Sequence, residues 1–483
     1  MTNYISTRGQ TAPQSFSNIV LEGLAPDGGL YVPQAWPTVT RQELESWRTL
    51  PYADMAARVF IKFAPELGLK TLTDLCRTTY TSALFSHARN ASDAVRIFPV
   101  RKLKTDGLFL QELSNGPTLA FKDAAMQFIG HLMDFMLEKQ NRTLTVLGAT
   151  SGDTGSAAIH ALRGKKRVKV VMLSPQGRMS DFQRAQMYSV LDDNILNIAV
   201  AGTFDDCQDL VKTINADAGF KNDYRLGAVN SINWARVMAQ TAYYISAYLQ
   251  IAAQDNDKVS FSVPSGNFGN AFAGIVAKLM GVPIDRIIVA TNENDVLHRL
   301  LTSGCYAPAS VALATSSPSM DITKASNFER LAFEAASHDG AKIHALWQTL
   351  AQEGHIDFAK SEPVMWQAIQ RHGLASSRST HADRLTHIKE VYETEGLLID
   401  PHTADSIHGA LSCRKDGEKI VILETAQAAK FAQTVQEATG HAPPSPKGFE
   451  GLLDAPQSVT PIACDPNELK AQIRKFVGAD RAF

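Results

Sequence analysis

Short apolar runs alternate along this chain with longer stretches in which apolar residues recur every three or four positions. The runs, rich in β-branched and aliphatic residues, predict buried strands, and the stretches at 155–164 and 204–219 predict amphipathic helices. Strands that alternate with helices at this spacing indicate parallel sheets covered by helices on both faces. The predicted strands lie around residues 96–100 and at 144–148, 168–174, 195–202, 259–266, 286–292 and 419–424.

The same pattern divides the chain into regions. A chain of 483 residues exceeds the size at which one hydrophobic core keeps growing, so more than one domain is expected. Residues 1–90 have few strand runs and predict a mostly helical N-terminal cap domain. Residues 91–440 predict two α/β subdomains with a strand-poor helical insertion near 325–392. Residues 441–483 form a C-terminal tail without an assignable pattern.

Composition and charge narrow the class of protein. The hydrophobic fraction of 45% and the charged fraction of 20% are typical of a soluble globular protein. With a net charge of −2, the protein has no overall positive charge that would attract nucleic acid or an anionic membrane. The five cysteines are far apart and form no CxxC pair, so neither a disulfide framework nor a metal site is predicted. With no apolar leader and no run long enough to span a bilayer, we expect a cytoplasmic protein.

The stretch SNGPTLAFKDAAMQF, residues 114–128, places a lysine where a helix is electropositive. Apolar spacing predicts a helix from Thr118, with Lys122 in its first turn. Pairing with Asp123, or simple exposure to solvent, would explain this lysine without any chemistry. A lysine held among apolar neighbours has instead a lowered pKa and can form a Schiff base with a carbonyl. This segment alone leaves both interpretations open.

Two glycine-rich turns each follow a predicted strand and open a helix. They are GATSGDTGSAA at 148–158 and PSGNFGNAFAG at 264–274. Glycine lets a backbone approach a ligand closely, and a helix N-terminus offers unpaired N–H groups to an anion. Neither turn matches the dinucleotide, P-loop or hydrolase-elbow pattern, and each could also be a tight turn without a ligand. Together with a nucleophilic lysine, two anion-binding turns suit a cofactor that carries an aldehyde and a phosphate, as pyridoxal 5'-phosphate does.

These segments, in this order, resemble those of the threonine synthases of the longer-chain type. That family belongs to the tryptophan-synthase-β-like, fold type II enzymes that depend on pyridoxal phosphate. Further similar stretches are DPHTA at 400–404, 317–331, and the opening STRG with LAPDGGLYVP. The resemblance implies an α/β fold with two open, mostly parallel sheets and flanking helices. A mostly helical N-terminal cap would precede the catalytic, cofactor-binding region at 91–440.

The resemblance also implies which residues bind the cofactor. Lys122 would hold pyridoxal phosphate covalently and, once released, would shuttle protons. Thr403 would face the ring nitrogen, although a polar turn after Asp400 is an alternative explanation for this hydroxyl. The cofactor phosphate would be bound by backbone N–H groups of Gly266, Asn267, Phe268, Gly269 and Asn270.

The implied substrate, O-phospho-L-homoserine, needs a carboxylate site and a second phosphate site. For Asp153 in the carboxylate loop, a helix N-cap is an alternative role. For Arg236 in the phosphate segment, an ordinary ion pair on a helix is the alternative. The substrate carboxylate and the cofactor's phenolic oxygen would be bound by Thr150, Ser151, Gly152, Asp153 and Thr154. The substrate phosphate would be bound by Asn230, Ser231, Asn233 and Arg236.

The implied activity is a carbon–oxygen lyase reaction that ends threonine biosynthesis. Phosphate leaves Cγ of the substrate, water adds at Cβ, and L-threonine results. The chain would act on this small molecule as a monomer or homodimer, with no nucleic-acid or membrane partner. A related phospholyase or serine/threonine dehydratase could use the same residues. A non-catalytic protein that binds pyridoxal phosphate or a nucleotide would keep the turns without needing Lys122 as an amine.

Overall fold

The computed structural model of this chain describes residues 2–228, 231–254 and 257–478. Within these ranges the architecture is α/β, with two mostly parallel sheets and helices packed around them, and the predicted fold class is confirmed. None of the helices in these ranges is long and apolar enough to cross a membrane.

The strands and helices are numbered in chain order. The strands are β1 (Tyr4–Ser6), β2 (Tyr31–Pro33), β3 (Val100–Lys102), β4 (Leu108–Gln111), β5 (Leu144–Ala149), β6 (Val168–Pro175), β7 (Ile195–Val200), β8 (Leu226–Gly227), β9 (Val259–Pro264), β10 (Ile284–Thr291), β11 (Cys305–Tyr306), β12 (Ile356–Asp357), β13 (Leu374–Arg378), β14 (Ile420–Leu423) and β15 (Thr460–Ile462). The helices are α1 (Phe16–Glu22), α2 (Arg41–Trp47), α3 (Tyr52–Phe63), α4 (Leu69–Thr79), α5 (Lys122–Gln140), α6 (Asp153–Leu162), α7 (Asp181–Tyr188), α8 (Phe204–Ala216), α9 (Ala218–Asp223), α10 (Trp234–Ile251), α11 (Gly269–Leu279), α12 (Val296–Ser303), α13 (Phe328–Ala335), α14 (Gly340–Glu353), α15 (Phe358–Ser361), α16 (Pro363–Arg371), α17 (His381–Glu395), α18 (Pro401–Cys413), α19 (Ala432–Thr439) and α20 (Pro466–Val477).

Two sheets organise the chain from β3 onward. Among the described residues, one sheet has the strand order β13-β10-β9-β14-β4-β3 and is parallel except for the β3–β4 pair. The other has the order β15-β7-β6-β5-β8 and is parallel throughout. Strand β6 is almost entirely buried, which explains its continuous apolar sequence. Ligands of parallel sheets bind beyond the carboxyl ends of the strands, and the turns at 148–158 and 264–274 follow β5 and β9 there.

The helices α5 and α10 form the centre of the core. Helix α10 is buried along nearly its whole length because it packs against α3, α5 and α11. Residues 1–90 contribute aromatic contacts to the same core, such as Phe60 with Phe128, whose ring centroids are 4.5 Å apart. This packing holds the first turns of α5, α10 and α11 in fixed positions, and each of these turns carries a predicted site residue.

Several local predictions differ from the structure. Helix α5 begins at Lys122 and not at Thr118, because Gly116 to Phe121 form a turn whose amides do not continue the helix. The strand predicted around 96–100 is displaced to β3, and a short 3-10 helix occupies Ala91–Arg96. The strands absent from the prediction are β1, β2, β4, β8, β11, β12, β13 and β15. Both β13, with the polar sequence LASSR, and β15, which contains a proline, lie at sheet edges, where apolar alternation is not required.

Candidate active site

Lys122 is the first residue of α5, and its side chain is buried. The amine lies 5.0 Å from the centre of the Phe121 ring and 3.2 Å from Asp153 Oδ2. Burial lowers the pKa of Lys122, and the neighbouring Lys430 and Arg236 lower it further, against the opposing effect of Asp153. Lys122 is therefore not a surface lysine, and its partner is not the adjacent Asp123.

Asp123 has a separate structural role in the turn before α5. Its carboxylate accepts hydrogen bonds from the backbone N–H and the hydroxyl of Thr118, both at 2.7 Å. Burial raises the pKa of Asp123 to about 6. These contacts fix the turn at 116–121 and so orient the start of the helix that carries Lys122.

Asp153 is the counter-ion of the site. It is buried, and Gly152 is the N-cap of α6, so the N-cap interpretation of Asp153 is wrong. Besides Lys122, the carboxylate contacts Lys430 Nζ at 2.9 Å and accepts from Gln183 Nε2 at 2.9 Å. Burial alone would raise the pKa of Asp153, but the two lysines outweigh it and hold this pKa well below 3.8. A carboxylate so charged would repel a substrate carboxylate, so only the backbone N–H of this residue suits that ligand.

Gly152 allows the loop to bring Asp153 into this position. Its φ is +143°, a conformation that side-chain-bearing residues rarely adopt. A Cβ atom at this position would lie 2.6 Å from the amide of Gln183, which itself binds Asp153. The glycine therefore provides the space in which the Gln183–Asp153 hydrogen bond forms.

The rest of the 150–154 loop presents backbone N–H groups. The Thr150 hydroxyl accepts from Gly152 N at 3.0 Å and from Gly155 N at 2.8 Å, so its oxygen stabilises the loop itself. Ser151 is exposed, and Thr154 is half-buried in the first turn of α6. Three of the loop's N–H groups, those of Ser151, Asp153 and Thr154, donate to no acceptor within the described ranges.

The 266–270 loop is a second cluster of unpaired backbone donors. None of its five N–H groups, from Gly266 to Asn270, donates to an acceptor among the residues that the structure describes. Phe268, with φ of 62°, is the N-cap of α11. The Asn267 carbonyl accepts from Asn327 N at 3.1 Å, and Asn270 Oδ1 accepts from the Tyr244 hydroxyl at 2.9 Å. Neighbouring side chains thus hold the loop open for an anion.

The glycines of this loop are closely packed. A Cβ on Gly266 would lie 3.0 Å from Met320 Cα, and one on Gly269 would lie 3.1 Å from Asn327 Nδ2. Since the 319–320 backbone covers Gly266 so closely, a larger residue would displace the loop or that segment. An anion cradle at this place fits the phosphate of pyridoxal phosphate.

The NSINWAR segment is only partly described, because Asn230 lies outside the described residues. The Ser231 carbonyl accepts from Asn327 Nδ2 at 3.2 Å, which places this segment beside the 266–270 loop. Asn233 is the N-cap of α10, and its amide also donates to the Val20 carbonyl at 2.8 Å. Its side chain therefore already has two structural partners.

Arg236 is a buried cation without a protein partner for most of its donors. Its Nε and Nη1 atoms are buried and have no hydrogen-bond partner within the described ranges, and no ion pair to it is found there. Burial lowers the pKa of Arg236 to about 10. Arg236 also lies close enough to Lys122 to lower its pKa. A buried, unpaired guanidinium is unfavourable without a ligand, so this geometry fits an anion site, not an ion pair on a helix.

Thr403 is buried in the first turn of α18, close to Asp400. Its hydroxyl donates to Asp400 Oδ2 and accepts from Thr425 N at 3.0 Å. Asp400 is the N-cap of α18 and also binds His402 Nδ1 at 2.7 Å. The polar-turn interpretation therefore describes the local hydrogen bonds, and the position of Thr403 at a ring nitrogen stays a prediction.

Two groups in the site were not predicted from the sequence. Ser319 Oγ donates to Asp153 Oδ2 at 3.1 Å, and Ser319 N donates to His402 Nε2 at 3.0 Å. Ser319 lies in the 317–331 stretch, which resembles the family but indicates no role for this serine. Lys430 lies in the short 3-10 helix Ala428–Phe431, and its sequence context AAKF gives no chemical signal.

Comparisons with known proteins show the family to which this chain belongs. Family models match three parts of the chain: Threonine synthase N terminus at 3–80, Pyridoxal-phosphate dependent enzyme at 92–426, and Threonine synthase, C-terminal at 403–473. A threonine synthase of Methylobacillus glycogenes is 47% identical over 98% of this chain and 99% of that protein. One from Corynebacterium glutamicum is 47% identical over 98% of both. The crystal structure of a PLP-bound threonine synthase from Brucella melitensis has a TM-score of 0.91 at 39% identity, covering 99% of this chain and 100% of that one.

Proposed function

The chain belongs to the threonine synthase family of pyridoxal-phosphate-dependent enzymes, and from this premise we propose that it converts O-phospho-L-homoserine and water into L-threonine and phosphate around Lys122. The observation that supports the proposal is that one largely buried but still accessible amine lies with two groups of donors that have no acceptor in the described ranges and can bind anions. The amine is Lys122, and the anion sites are the 266–270 loop and Arg236. A cofactor phosphate and a substrate phosphate require two such sites.

Lys122, and not Lys430, is the amine suited to hold the cofactor. The Lys122 side chain is 10% exposed and has one hydrogen-bond partner within the described ranges. The Lys430 side chain is 0% exposed and donates to three acceptors. Lys430 is therefore enclosed and its three donors are all used, whereas Lys122 is partly accessible and burial lowers its pKa.

The residues would divide the chemistry as follows. Pyridoxal phosphate, when bound, withdraws electrons and so acidifies the Cα–H bond of the amino acid. The 266–270 N–H groups would hold its phosphate, and Thr403 would lie at its ring nitrogen. The unpaired N–H groups of the 150–154 loop would bind the substrate carboxylate, and Asp153 would orient the Lys122 amine. Lys122 would take a proton from Cα of the substrate and later move one at Cβ.

Arg236 would hold the phosphate of the substrate and stabilise it as it leaves. The C–O bond at Cγ would break, Cβ would lose one proton and gain the hydroxyl of water, and Cγ would take up a proton to become a methyl group. The charge of a guanidinium beside the leaving oxygen favours this bond cleavage. The protein would act in the cytoplasm, in keeping with its ordinary composition and small net charge, and as a monomer or a homodimer.

Borohydride reduction of the protein with pyridoxal phosphate tests the assignment of the cofactor lysine. The reduced, stable adduct should be found on the peptide that contains Lys122, and Lys122→Ala should lose it while remaining folded. An adduct on Lys430 or any other lysine in the wild-type protein would contradict the proposal.

A further inference from the structure

Lys430 is a buried cation in the site to which the proposed chemistry assigns no role. Its Nζ contacts Asp153 Oδ1 at 2.9 Å, the Thr118 carbonyl at 2.7 Å and Gln186 Oε1 at 3.1 Å. An ammonium has three N–H donors, so all of them are satisfied. These three contacts hold the Lys430 side chain in one position.

Asp153 connects Lys430 to Lys122. One carboxylate oxygen contacts Lys430 and accepts from Gln183, and the other accepts from Lys122 and Ser319. Four donors around one buried carboxylate leave it little freedom to move. A single carboxylate is thus shared by two lysines, of which only one is proposed to react.

We infer that Lys430 is a positioning residue for Lys122: acting through Asp153, it neutralises the shared carboxylate and so keeps the Lys122 amine in the uncharged form that binds a carbonyl. This inference rests on the proposed role of Lys122 as the cofactor lysine. With Lys430 present, Asp153 has a second lysine in contact with it and does not need the Lys122 ammonium as its counter-ion. Without Lys430, the buried carboxylate would be paired with Lys122 alone, and this pairing would keep the Lys122 amine protonated.

The charges around Lys122 support this direction. The groups that face it are Asp153 from α6, Lys430 from the 428–431 turn and Arg236 from α10. Burial lowers the pKa of Lys122 most, Asp153 raises it, and Lys430 and Arg236 lower it. Loss of Lys430 removes a positive charge that repels the Lys122 ammonium. It also leaves Lys122 as the one lysine within the described ranges in contact with Asp153, and both effects raise the pKa of Lys122.

The test is the pH dependence of cofactor capture by Lys122 in the full-length chain. Pyridoxal phosphate is added over a series of pH values, the product is reduced with borohydride, and the adduct on the Lys122 peptide is quantified by mass spectrometry. Lys430→Gln retains hydrogen-bond donors but has no charge, and it should move the midpoint of the profile upward by about one pH unit. At a fixed pH below that midpoint, capture should be slower on the order of tenfold.

Two further variants separate charge from structure. Lys430→Arg keeps the charge and should keep the wild-type midpoint. Lys278→Gln is the matched control, because Lys278 donates to the Asp285 and His372 carbonyls outside the site, and it should leave the profile unchanged. If circular dichroism shows that Lys430→Gln is not folded, Lys430→Met replaces it, because this variant also lacks the charge and the same upward shift of the midpoint is expected.

A double variant tests whether the effect passes through Asp153. In the Asp153→Asn background only the direct repulsion between Lys430 and Lys122 remains, so Lys430→Gln should shift the midpoint by less than it does in the wild type. An equal shift in both backgrounds would overturn the role of Asp153, and an unchanged midpoint in folded Lys430→Gln would overturn the inference as a whole. A wild-type adduct on a lysine other than Lys122 would instead refute the proposed function, so the two failures are distinguishable.

Discussion

The hydroxyl of Thr403 donates its hydrogen bond to the carboxylate of Asp400, three residues earlier in the chain. The same oxygen accepts from Thr425 N at 3.0 Å. The Thr403 proton is therefore used by a buried carboxylate, and toward a ring nitrogen this hydroxyl can offer only a lone pair. Its ability to tune the cofactor then depends on Asp400 as well as on Thr403 itself.

Thr403→Val, which is nearly isosteric, should reduce both stability and cofactor occupancy. It leaves Thr425 N without its acceptor and removes one donor from Asp400, at a cost of about 1–3 kcal/mol. Thr403→Ser keeps both hydrogen bonds and is the control. Thermal unfolding and the cofactor absorbance measure the two effects. Equal behaviour of the Val and Ser variants would show that the hydroxyl has neither role.

Arg236→Leu should weaken use of the phosphorylated substrate without destabilising the fold. Its Nε and Nη1 have no partner within the described ranges, so its removal breaks no known contact of these two atoms. A lost charge-assisted hydrogen bond of about 1.5–3 kcal/mol corresponds to a decrease in kcat/KM of roughly ten- to a hundredfold. Inorganic phosphate should inhibit this variant less than the wild type, and the cofactor spectrum should be unchanged.

Arg330→Leu is the matched control for Arg236→Leu, because Arg330 is also a buried arginine but has structural hydrogen-bond partners. Arg330 is fully buried and donates to the Tyr31 carbonyl at 3.1 Å and the Ile232 carbonyl at 2.6 Å. Its loss should lower stability by several kcal/mol, because buried acceptors lose their donors, at about 1–3 kcal/mol each. If Arg236→Leu proves as destabilising as Arg330→Leu, or sheds the cofactor, Arg236 is a structural or cofactor residue and not the substrate phosphate site.

Gly266→Ala should lower affinity for the cofactor. The new Cβ would lie 3.0 Å from the Met320 backbone, so the phosphate loop or the 319–320 segment must move. Gly219→Ala, on α9, would meet only the Asp217 carboxylate at 3.5 Å, an ordinary contact, and should bind the cofactor as the wild type does. Equilibrium titration with pyridoxal phosphate compares the two. Unchanged affinity in Gly266→Ala would contradict the assignment of residues 266–270 as the binding site of the cofactor phosphate.

Asp153→Asn should destabilise the fold in a pH-dependent way. Removal of this carboxylate leaves the buried Lys430 without its anion and takes an acceptor from Lys122, which costs about 3–5 kcal/mol at neutral pH. The folded-state pKa of Asp153 lies below its ordinary 3.8, so its contribution is complete above pH 3.8 and is lost as the pH falls further. The difference from the wild type in urea midpoint should thus be largest near neutral pH and should shrink toward strong acid.

The exposed pair Lys70–Asp74 provides the comparison for this experiment. Both side chains are more than half exposed, so Asp74→Asn should change stability by less than about 1 kcal/mol at any pH. A difference between Asp153→Asn and the wild type that stays constant with pH would show that Asp153 is not held as a charged group.

The sequence predicted those parts of the site that are contiguous in the chain. Lys122 in its helical turn, the 150–154 loop and the 266–270 loop are each defined by local glycines and by a strand-to-helix transition. Lys430 could not be found in this way, because it reaches Gln186 across 244 positions, and its own segment is unremarkable. The edge strand β13 is not predicted for a related reason. Its polar side chains give no strand pattern, and its extended conformation depends on pairing with β10, which is distant in the sequence.

Product analysis with O-phospho-L-homoserine is the most direct test of the proposed activity. The purified wild-type protein with pyridoxal phosphate should release inorganic phosphate and L-threonine in equal amounts, and Lys122→Ala should release neither. Phosphate released together with an oxo acid in place of threonine would identify a phospholyase, and no reaction in a cofactor-loaded protein would identify a non-catalytic binder. Either result would contradict the proposed function.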